Sequence, residues 1–238
     1  MKNIIKKILR PIFHFRVRDT TNDSSSDLSW LKKYTIDSIL DIGANEGQFL
    51  EKIMKVFPGK QTYCFEPLRE VYKKLQTKTK DRQNVKVIQC AIGDENKEMS
   101  MNHCEFSPSS SLLKMDDLHK KAFPFTAKSQ KEIVLVRKLD NIDEIRDKCK
   151  RPFIKIDTQG YEINVINGGL ETFKLSPIIM IEVSYKSLYE GQPLFDDIYN
   201  KLTKMGFNYI GNIEQLLDPT TLQPLQADAI FENTKYEA

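Results

Sequence analysis

The stretch SILDIGANEGQFLEKI (residues 38–53) decides how the fold of this 238-residue chain is predicted. A short apolar run ends in Asp41, a loop framed by Gly43 and Gly47 follows, and apolar residues then recur at helical spacing. This order predicts a buried strand, a tight turn and a helix. A glycine loop in this place usually holds a phosphate on its backbone N–H groups, but the carboxylate of Asp41 would repel one. The loop is therefore predicted to serve another kind of ligand.

The composition predicts a globular protein with one sizeable core, or at most two small domains, because 40% of the residues are hydrophobic and 10% aromatic. The net charge of +3 argues against a dedicated nucleic-acid-binding protein, which would carry a clustered basic surface. No run of about 18 apolar residues occurs, so no membrane-spanning helix is predicted. The four cysteines are widely spaced and form no zinc pattern, which favours free thiols in a reducing cytoplasm and predicts no metal site.

Residues 1–28 are predicted to form a basic amphipathic segment and a polar linker, and residues 29–238 the folded domain. The first 18 residues hold six Lys or Arg and no acid, with apolar residues on one helical face. Two interpretations are open, a helix on an anionic membrane surface or a helix that covers the fold. Pro11 would end or kink this helix early, which weakens the membrane interpretation. We therefore expect a cytoplasmic protein and leave peripheral membrane contact through residues 1–18, like the oligomeric state, open.

From residue 29 onward, strand-like and helix-like segments alternate. Strands are predicted at 38–43, 61–67, 85–93, 153–157 and 177–183, helices at 47–57, 68–80 and 195–205, and two antiparallel strands at 208–212 and 227–232. This alternation predicts an α/β fold with a doubly wound, mostly parallel sheet. Residues 94–149 break the alternation and contain two strand-like segments. They predict an inserted hairpin or lid between the third and fourth strands, and we call them the insertion.

Four of the predicted strands are apolar runs that close on a single acid: Asp41, Glu66, Asp157 and Glu182. Acids are common at strand ends, but in a doubly wound sheet the carboxyl ends of neighbouring strands form one binding edge. Four acids there indicate a ligand that is cationic or rich in hydroxyls. S-adenosyl-L-methionine (SAM) carries a sulfonium and an ammonium but no phosphate. Asp41 could face its positive end, directly or through water, and Glu66 lies where an acid usually accepts the ribose hydroxyls.

A nicotinamide dinucleotide would use the same acid at the end of the second strand. It would also require the pattern GxGxxG, and the loop GANEGQ (43–48) lacks the second glycine. The residues therefore favour SAM, while two alternatives stay open. One is a NAD-type Rossmann oxidoreductase, and the other is a catalytically inactive binding module with the SAM fold.

Several motifs extend this pattern over most of the chain. They are LDIGANEGQ (40–48), CFEP (64–67), CAIGD (90–94), SPSSSLL (107–113) and IKIDTQGYEINVINGG (154–169). With these motifs the chain resembles the FkbM-type family of SAM-dependent methyltransferases. The resemblance implies a class I methyltransferase fold, which is Rossmann-like, and SAM-dependent O-methylation. It also implies that the acceptor is a hydroxyl of a sugar, a glycan or a secondary metabolite.

The resemblance also implies which residues bind the cofactor. Carried over by position, they are Asp41, Gly43, Ala44, Asn45, Gly47, Glu66, Pro67, Cys90, Ala91 and Ile92, the last three along the adenine. The segment after Asp157 departs from the family pattern, because it reads Thr158-Gln159 where the family usually has Val-Glu or Val-Gln. An acid at position 159 therefore cannot be catalytic in this chain.

Methyl transfer to a hydroxyl needs a base or a metal, because a sugar hydroxyl is a poor nucleophile. We assign Asp157 the role of base or acceptor-orienting group, with a helix cap or a SAM contact as alternatives. Glu182 is the second catalytic candidate and would hold acceptor hydroxyls. In the insertion, His103 and His119 are weaker candidates for the base. Serines 109–111 either bind the acceptor or form a turn.

Overall fold

The computed structural model describes residues 28–104, 109–123 and 129–236. The predicted amphipathic segment at residues 1–18 lies outside these ranges, so membrane contact and the boundary at residue 28 stay predictions. The described chain begins with a 3-10 helix, Leu28–Lys33, whose Leu28 and Leu31 are buried. Within the described ranges, every helix is too short or too polar to cross a membrane.

The strands and helices follow the predicted alternation. The strands are β1 (Ser38–Ile42), β2 (Gln61–Phe65), β3 (Val85–Ile88), β4 (Ala91–Ile92), β5 (Lys97–Cys104), β6 (Ser129–Arg137), β7 (Pro152–Ile156), β8 (Ile178–Ser184), β9 (Phe207–Leu217) and β10 (Pro224–Asn233). The helices are α1 (Gln48–Val56), α2 (Arg69–Thr79), α3 (Asp117–Ala122), α4 (Asp143–Lys148), α5 (Glu162–Gly168), α6 (Leu170–Lys174) and α7 (Phe195–Lys204).

Seven of these strands form one sheet in the order β3-β2-β1-β7-β8-β10-β9. The five strands from β3 to β8 are parallel, whereas β10 runs antiparallel to both β8 and β9. The order of the strands reverses at β1, which is the place where ligands bind in doubly wound sheets. The fold is therefore the Rossmann-like, mostly parallel sheet that the sequence predicts.

Both faces of the large sheet are covered, which explains why its central strands are apolar without alternation. On one face, α1 and the first 3-10 helix pack on Ile39, Phe153 and Ile178. On the other face, α5 and α7 pack on the neighbouring residues Leu40, Ile154 and Ile179. Every residue of β1 and β7 is buried, Asp41 and Lys155 included. These two charged residues therefore lie inside the sheet.

The predicted strand at 85–93 is wrong as a single element. β3 pairs with β2 in the large sheet, whereas β4 pairs with β6 in a separate three-stranded sheet. The chain turns between them, where the N–H of Cys90 donates to the carbonyl of Ile88 at 3.0 Å. The apolar run continues through the turn because both halves are partly or wholly buried. Its periodicity therefore does not reveal that the two halves pair with different strands.

Within the insertion, β5 and β6 pair antiparallel along their length, from Lys97 opposite Val136 to Cys104 opposite Ser129. The connection between them contains α3, which begins after Asp116. Residues 115 and 116 dock this connection on the loop after β8: Met115 bridges Tyr189, and the N–H of Asp116 donates to the carbonyl of Leu188 at 2.9 Å. The insertion is thus attached to the end of β8, while movement as a lid stays a prediction.

Candidate active site

A cavity of about 540 Å³ lies at the carboxyl ends of β1, β2, β7 and β8. This volume is in the usual range for small-molecule sites. Ten of the twelve predicted site residues line it: Gly43, Ala44, Asn45, Glu66, Pro67, Cys90, Ala91, Ile92, Asp157 and Glu182. Asp41 and Gly47 do not. Further lining residues come from the insertion, including His119, and from β9 and β10, including Gln226 and Asp228.

The glycine loop is held against the end of β7. Gly43 has a φ of +82°, and a Cβ there would lie 1.8 Å from the backbone oxygen of Asp157, so only glycine fits. The N–H groups of Gly43 and Ala44 both donate to the carbonyl of Phe65. Gly47, with a φ of +84°, precedes α1 and packs against Leu75. Gly47 therefore shapes the loop and does not face the cavity.

Glu66 is fixed at the cavity wall by two backbone groups. Its Oε1 accepts the N–H of Leu68 at 2.8 Å, and its Oε2 accepts the N–H of Asn45 at 3.0 Å. Burial raises the pKa of Glu66 to about 7, although these two N–H groups oppose the shift. Each oxygen keeps acceptor capacity for a ligand. This geometry fits a carboxylate that accepts two neighbouring hydroxyls.

Asp41 lies behind the cavity wall. Its side chain has no exposed surface, and neither of its oxygens has a hydrogen-bond partner within the described chain. The Nζ of Lys155 is 3.8 Å from its Oδ1, because Asp41 on β1 and Lys155 on β7 are register partners. Burial raises the pKa of Asp41 to about 6, against the effect of Lys155. The predicted contact of Asp41 with the cofactor stays a prediction, and here it would run through Lys155 or water.

Lys155 therefore occupies the position on the cavity wall that the sequence suggested for Asp41. It points away from its strand neighbours, as the alternation predicts, and its Nζ is also 3.2 Å from Oδ2 of Asp157. Burial lowers the pKa of Lys155, but Asp157 and Asp41 outweigh burial and raise it above its usual value. Lys155 is thus a fixed cation between two carboxylates.

Gln159 connects the two predicted catalytic acids. Its Nε2 donates to Oδ1 of Asp157 and to Oε2 of Glu182, both at 2.7 Å. Its Oε1 accepts from the hydroxyl of Tyr189 at 2.9 Å, and its carbonyl accepts from Oγ of Ser111 at 2.6 Å. Gln159 holds a φ of +54°, which is costly for a residue other than glycine. Sequence reasoning missed this role, although the glutamine stood in the most distinctive motif.

The surroundings of Glu182 favour its neutral form. Its Oε2 also accepts from Nε2 of Gln226 at 2.7 Å. Burial, followed by the charges of Asp157 and Glu162, raises the pKa of Glu182 well above its usual range. A neutral Glu182 accepts on Oε2 and donates from its other oxygen. The two catalytic candidates are therefore unlike each other, since Asp157 contacts the ammonium of Lys155 and Glu182 contacts amides.

Asp157 does not cap the following helix. Helix α5 begins after Tyr161 without a side-chain cap. Glu162 instead holds the preceding loop, because its Oε1 accepts from the N–H groups of Thr158 and Gly160 and from the hydroxyl of Thr158. The helix-cap alternative for Asp157 is therefore wrong, and its carboxylate is left facing the cavity.

The serines of the insertion mainly hold the fold. Oγ of Ser110 accepts the N–H of Cys104 at 3.0 Å, and Oγ of Ser111 accepts the N–H of Leu113 at 2.9 Å while it donates to Gln159. Ser109 and Ser110 also line the cavity. His103 lies apart, with Nδ1 3.1 Å from a carboxylate oxygen of Glu132.

In residues 28–104, 109–123 and 129–236, no three His, Cys, Asp or Glu side chains are grouped so that they could hold a metal ion.

A glycine loop after β1, an acid after β2 and this strand order define a Rossmann-like site for a cofactor that contains a nucleoside. The family model described as the methyltransferase FkbM domain matches residues 41–209. The chain therefore belongs to the FkbM methyltransferase family, and its cofactor is SAM.

The chain is also similar to a curated relative and to two solved structures. The 2-O-methyltransferase NoeI of Sinorhizobium fredii (strain NBRC 101917 / NGR234) is 27% identical over 165 residues. That alignment covers 65% of this chain and 66% of the relative, just under two thirds of its length.

Aeropyrum pernix fibrillarin, solved with bound SAM, is 12% identical over 82% of this chain and 67% of its own, with a TM-score of 0.46. TehB of Haemophilus influenzae is 8% identical over 95% and 66%, with a TM-score of 0.48. Because both TM-scores lie under 0.5, the assignment depends on the family match and not on these structures.

Proposed function

We propose that the protein is an O-methyltransferase that transfers a methyl group to a hydroxyl of a sugar, a glycan or a similar polyhydroxylated metabolite. The observation that carries the proposal is the position of Asp157. Its carboxylate faces a cavity that the glycine loop and Glu66 also line, and Lys155 and Gln159 hold it in place. The name of the relative, a 2-O-methyltransferase, supports transfer to oxygen.

The residues of the cavity fit the cofactor. Glu66 would accept the two ribose hydroxyls, and Gly43, Ala44 and Asn45 would line the methionine part. Cys90, Ala91 and Ile92 would lie along the adenine, with Pro67 beside the ribose. When bound, SAM supplies an electrophilic methyl group next to a positively charged sulfur.

Asp157 would take the proton of the acceptor hydroxyl. The acceptor oxygen would bond to the methyl carbon as the bond from this carbon to sulfur breaks, and the hydroxyl proton would pass to the carboxylate of Asp157. The Nζ of Lys155 lies 3.2 Å from Oδ2 of Asp157 and would hold this carboxylate in position. Glu182, hydrogen-bonded to Gln159 and Gln226, would orient the same acceptor. Two carboxyl groups in unlike surroundings can divide these two roles.

The charges around the acceptor end indicate which hydroxyl compounds fit. Glu182 and Asp228 face each other on β8 and β10, and burial raises the pKa of Asp228 to about 6. Glu214 also lines the cavity and pairs with Lys52 at 2.6 Å. Acids and amides of this kind bind neutral hydroxyl groups well. We therefore infer a neutral acceptor that carries hydroxyl groups.

The proposal is tested by titration calorimetry and a transfer assay. Wild-type protein is titrated with SAM and with NAD, and is then incubated with methyl-labelled SAM and a panel of neutral methyl glycosides, N-acetylated sugars and sugar phosphates. We expect micromolar SAM binding, about −8 kcal/mol, and labelling of at least one neutral sugar. Binding of NAD instead would favour the oxidoreductase alternative. Binding of SAM without transfer to any sugar would favour the inactive binding module and refute the proposal.

A further inference from the structure

His119 is a buried histidine on the wall of the cavity. It lies in α3 within the insertion, is only 4% exposed, and lines the same cavity as Asp157 and Glu182. In the described part of the chain its Nδ1 is buried and has no hydrogen-bond partner. An unsatisfied buried nitrogen is destabilising, so a residue of this kind calls for an explanation.

Two aromatic rings pack against the imidazole. It packs edge-to-face on Phe123, with the ring centroids 5.6 Å apart, and on Tyr189, with the centroids 5.1 Å apart. Phe123 also lines the cavity, and burial lowers the pKa of His119 to about 4. The imidazole is therefore neutral near pH 7, with one nitrogen that donates and one that accepts.

Tyr189 links His119 to the proposed catalytic groups. The Tyr189 ring contacts the imidazole, and its hydroxyl donates to Oε1 of Gln159 at 2.9 Å. The amide nitrogen of Gln159 in turn bridges Asp157 and Glu182. Tyr189 and Gln159 thus connect His119, on the wall that the insertion contributes, to the acceptor-side carboxyl groups.

We propose that the imidazole of His119 binds a hydroxyl of the acceptor and so makes the insertion part of the acceptor site. This inference rests on the proposed function and adds a residue to it. Among the described residues, Nδ1 of His119 has no hydrogen-bond partner, and His119 borders the cavity, from which an acceptor can approach the ring.

Packing is the competing explanation, and the variant His119→Phe separates the two. Phenylalanine keeps an aromatic ring against Tyr189 and Phe123 but removes both nitrogens. Because it also removes an unsatisfied buried nitrogen, we expect the Tm to stay unchanged or rise. Loss of acceptor binding without loss of stability is a result that a packing role cannot produce. His119→Gln restores a polar group at this position, and His103→Phe is the matched control outside the cavity.

The experiment measures KM and kcat for the neutral sugar of the panel that wild type methylates fastest, beside SAM affinity and Tm. We expect His119→Phe to raise the KM about tenfold, the usual effect of one lost hydrogen bond, with SAM affinity and kcat near wild type. His119→Gln should recover part of this loss, and His103→Phe should match wild type.

Each other outcome overturns the inference in a recognisable way. If wild type methylates no sugar, the proposed function fails and the inference fails with it. If wild type is active and His119→Phe keeps the wild-type KM, His119 only packs and the proposed function stands. A fall in SAM affinity would assign His119 to the cofactor. A fall in kcat at unchanged KM would assign it to the chemical step instead of acceptor binding.

Discussion

Replacing Asp157 by asparagine tests the proposed base most directly. In the protein, Oδ2 of Asp157 is 3.2 Å from Nζ of Lys155, and Oδ1 accepts from Nε2 of Gln159 at 2.7 Å. Asparagine has nearly the same shape and keeps one oxygen for Gln159. Its amide nitrogen would then face the ammonium of Lys155, so that two hydrogen-bond donors would lie next to each other. The variant therefore removes the charge and the proton acceptor while it leaves the cavity geometry largely unchanged.

Activity and stability should change by different amounts. Positioned general-base catalysis is typically worth about 10²–10⁴ in rate, so we expect the single-turnover rate of Asp157→Asn to fall by that factor. Breaking a buried ion pair can cost about 3–5 kcal/mol. Here the side chain of Asp157 is 34% exposed and Asp41 stays near Lys155 at 3.8 Å. We therefore expect a loss of about 1–2 kcal/mol, or about 2–8 °C in Tm.

Glu182→Gln is the matched control. If Glu182 works in its neutral form, glutamine can accept from Gln159 and Gln226 with its oxygen and donate with its nitrogen. Turnover should then stay within about tenfold of wild type. The assay is single-turnover transfer at saturating SAM, with SAM affinity measured by calorimetry. Near-normal turnover in Asp157→Asn would refute the base assignment, and a fall confined to SAM affinity would make Asp157 a cofactor ligand.

Three further predictions concern the cavity wall and its charges. Glu66→Ala should weaken SAM binding about ten- to hundredfold in calorimetry, because two hydroxyls lose their acceptor, and wild-type affinity would remove the ribose assignment. Gln159→Gly relieves the strained φ of +54° but removes the side chain that bridges Asp157 and Glu182. We expect kcat to fall at least about tenfold, while the Tm changes by only a few degrees. An unchanged kcat would show that the bridge is dispensable. Burial raises the pKa of Asp228 to about 6, so the Asp228 carboxyl group stays protonated to a higher pH in the folded protein than in the unfolded chain. The folded state therefore loses stability as the pH rises from about 4 to about 6. Asp228→Asn should therefore gain stability over wild type in urea unfolding at pH 7 but not at pH 4, and a difference independent of pH would contradict this.

Most strands of the sheet and most cofactor-binding residues could be predicted because the sequence patterns that indicate them are local. The apolar runs that end in Asp41 and Glu66 belong to β1 and β2, and the glycines of the intervening loop adopt the backbone angles that exclude other residues. Strand ends in a parallel sheet meet at one edge, so acids at those ends were expected to share a site. Glu66, Asp157 and Glu182 do line one cavity.

Tertiary structure alone decided which of these side chains face the cavity and with which partners. Lys155 lies between Asp41 and the cavity because β1 and β7 are neighbouring strands, although Asp41 and Lys155 are 114 positions apart in the chain. Gln159 became the bridge between Asp157 and Glu182 through contacts with Tyr189 and Ser111, which come from distant segments. His103 and His119 looked equivalent in sequence, yet only His119 lies on the cavity. Periodicity and strand ends record the local backbone, whereas the pairing of distant elements determines burial, ion pairs and pKa, and these exist only once the chain has folded.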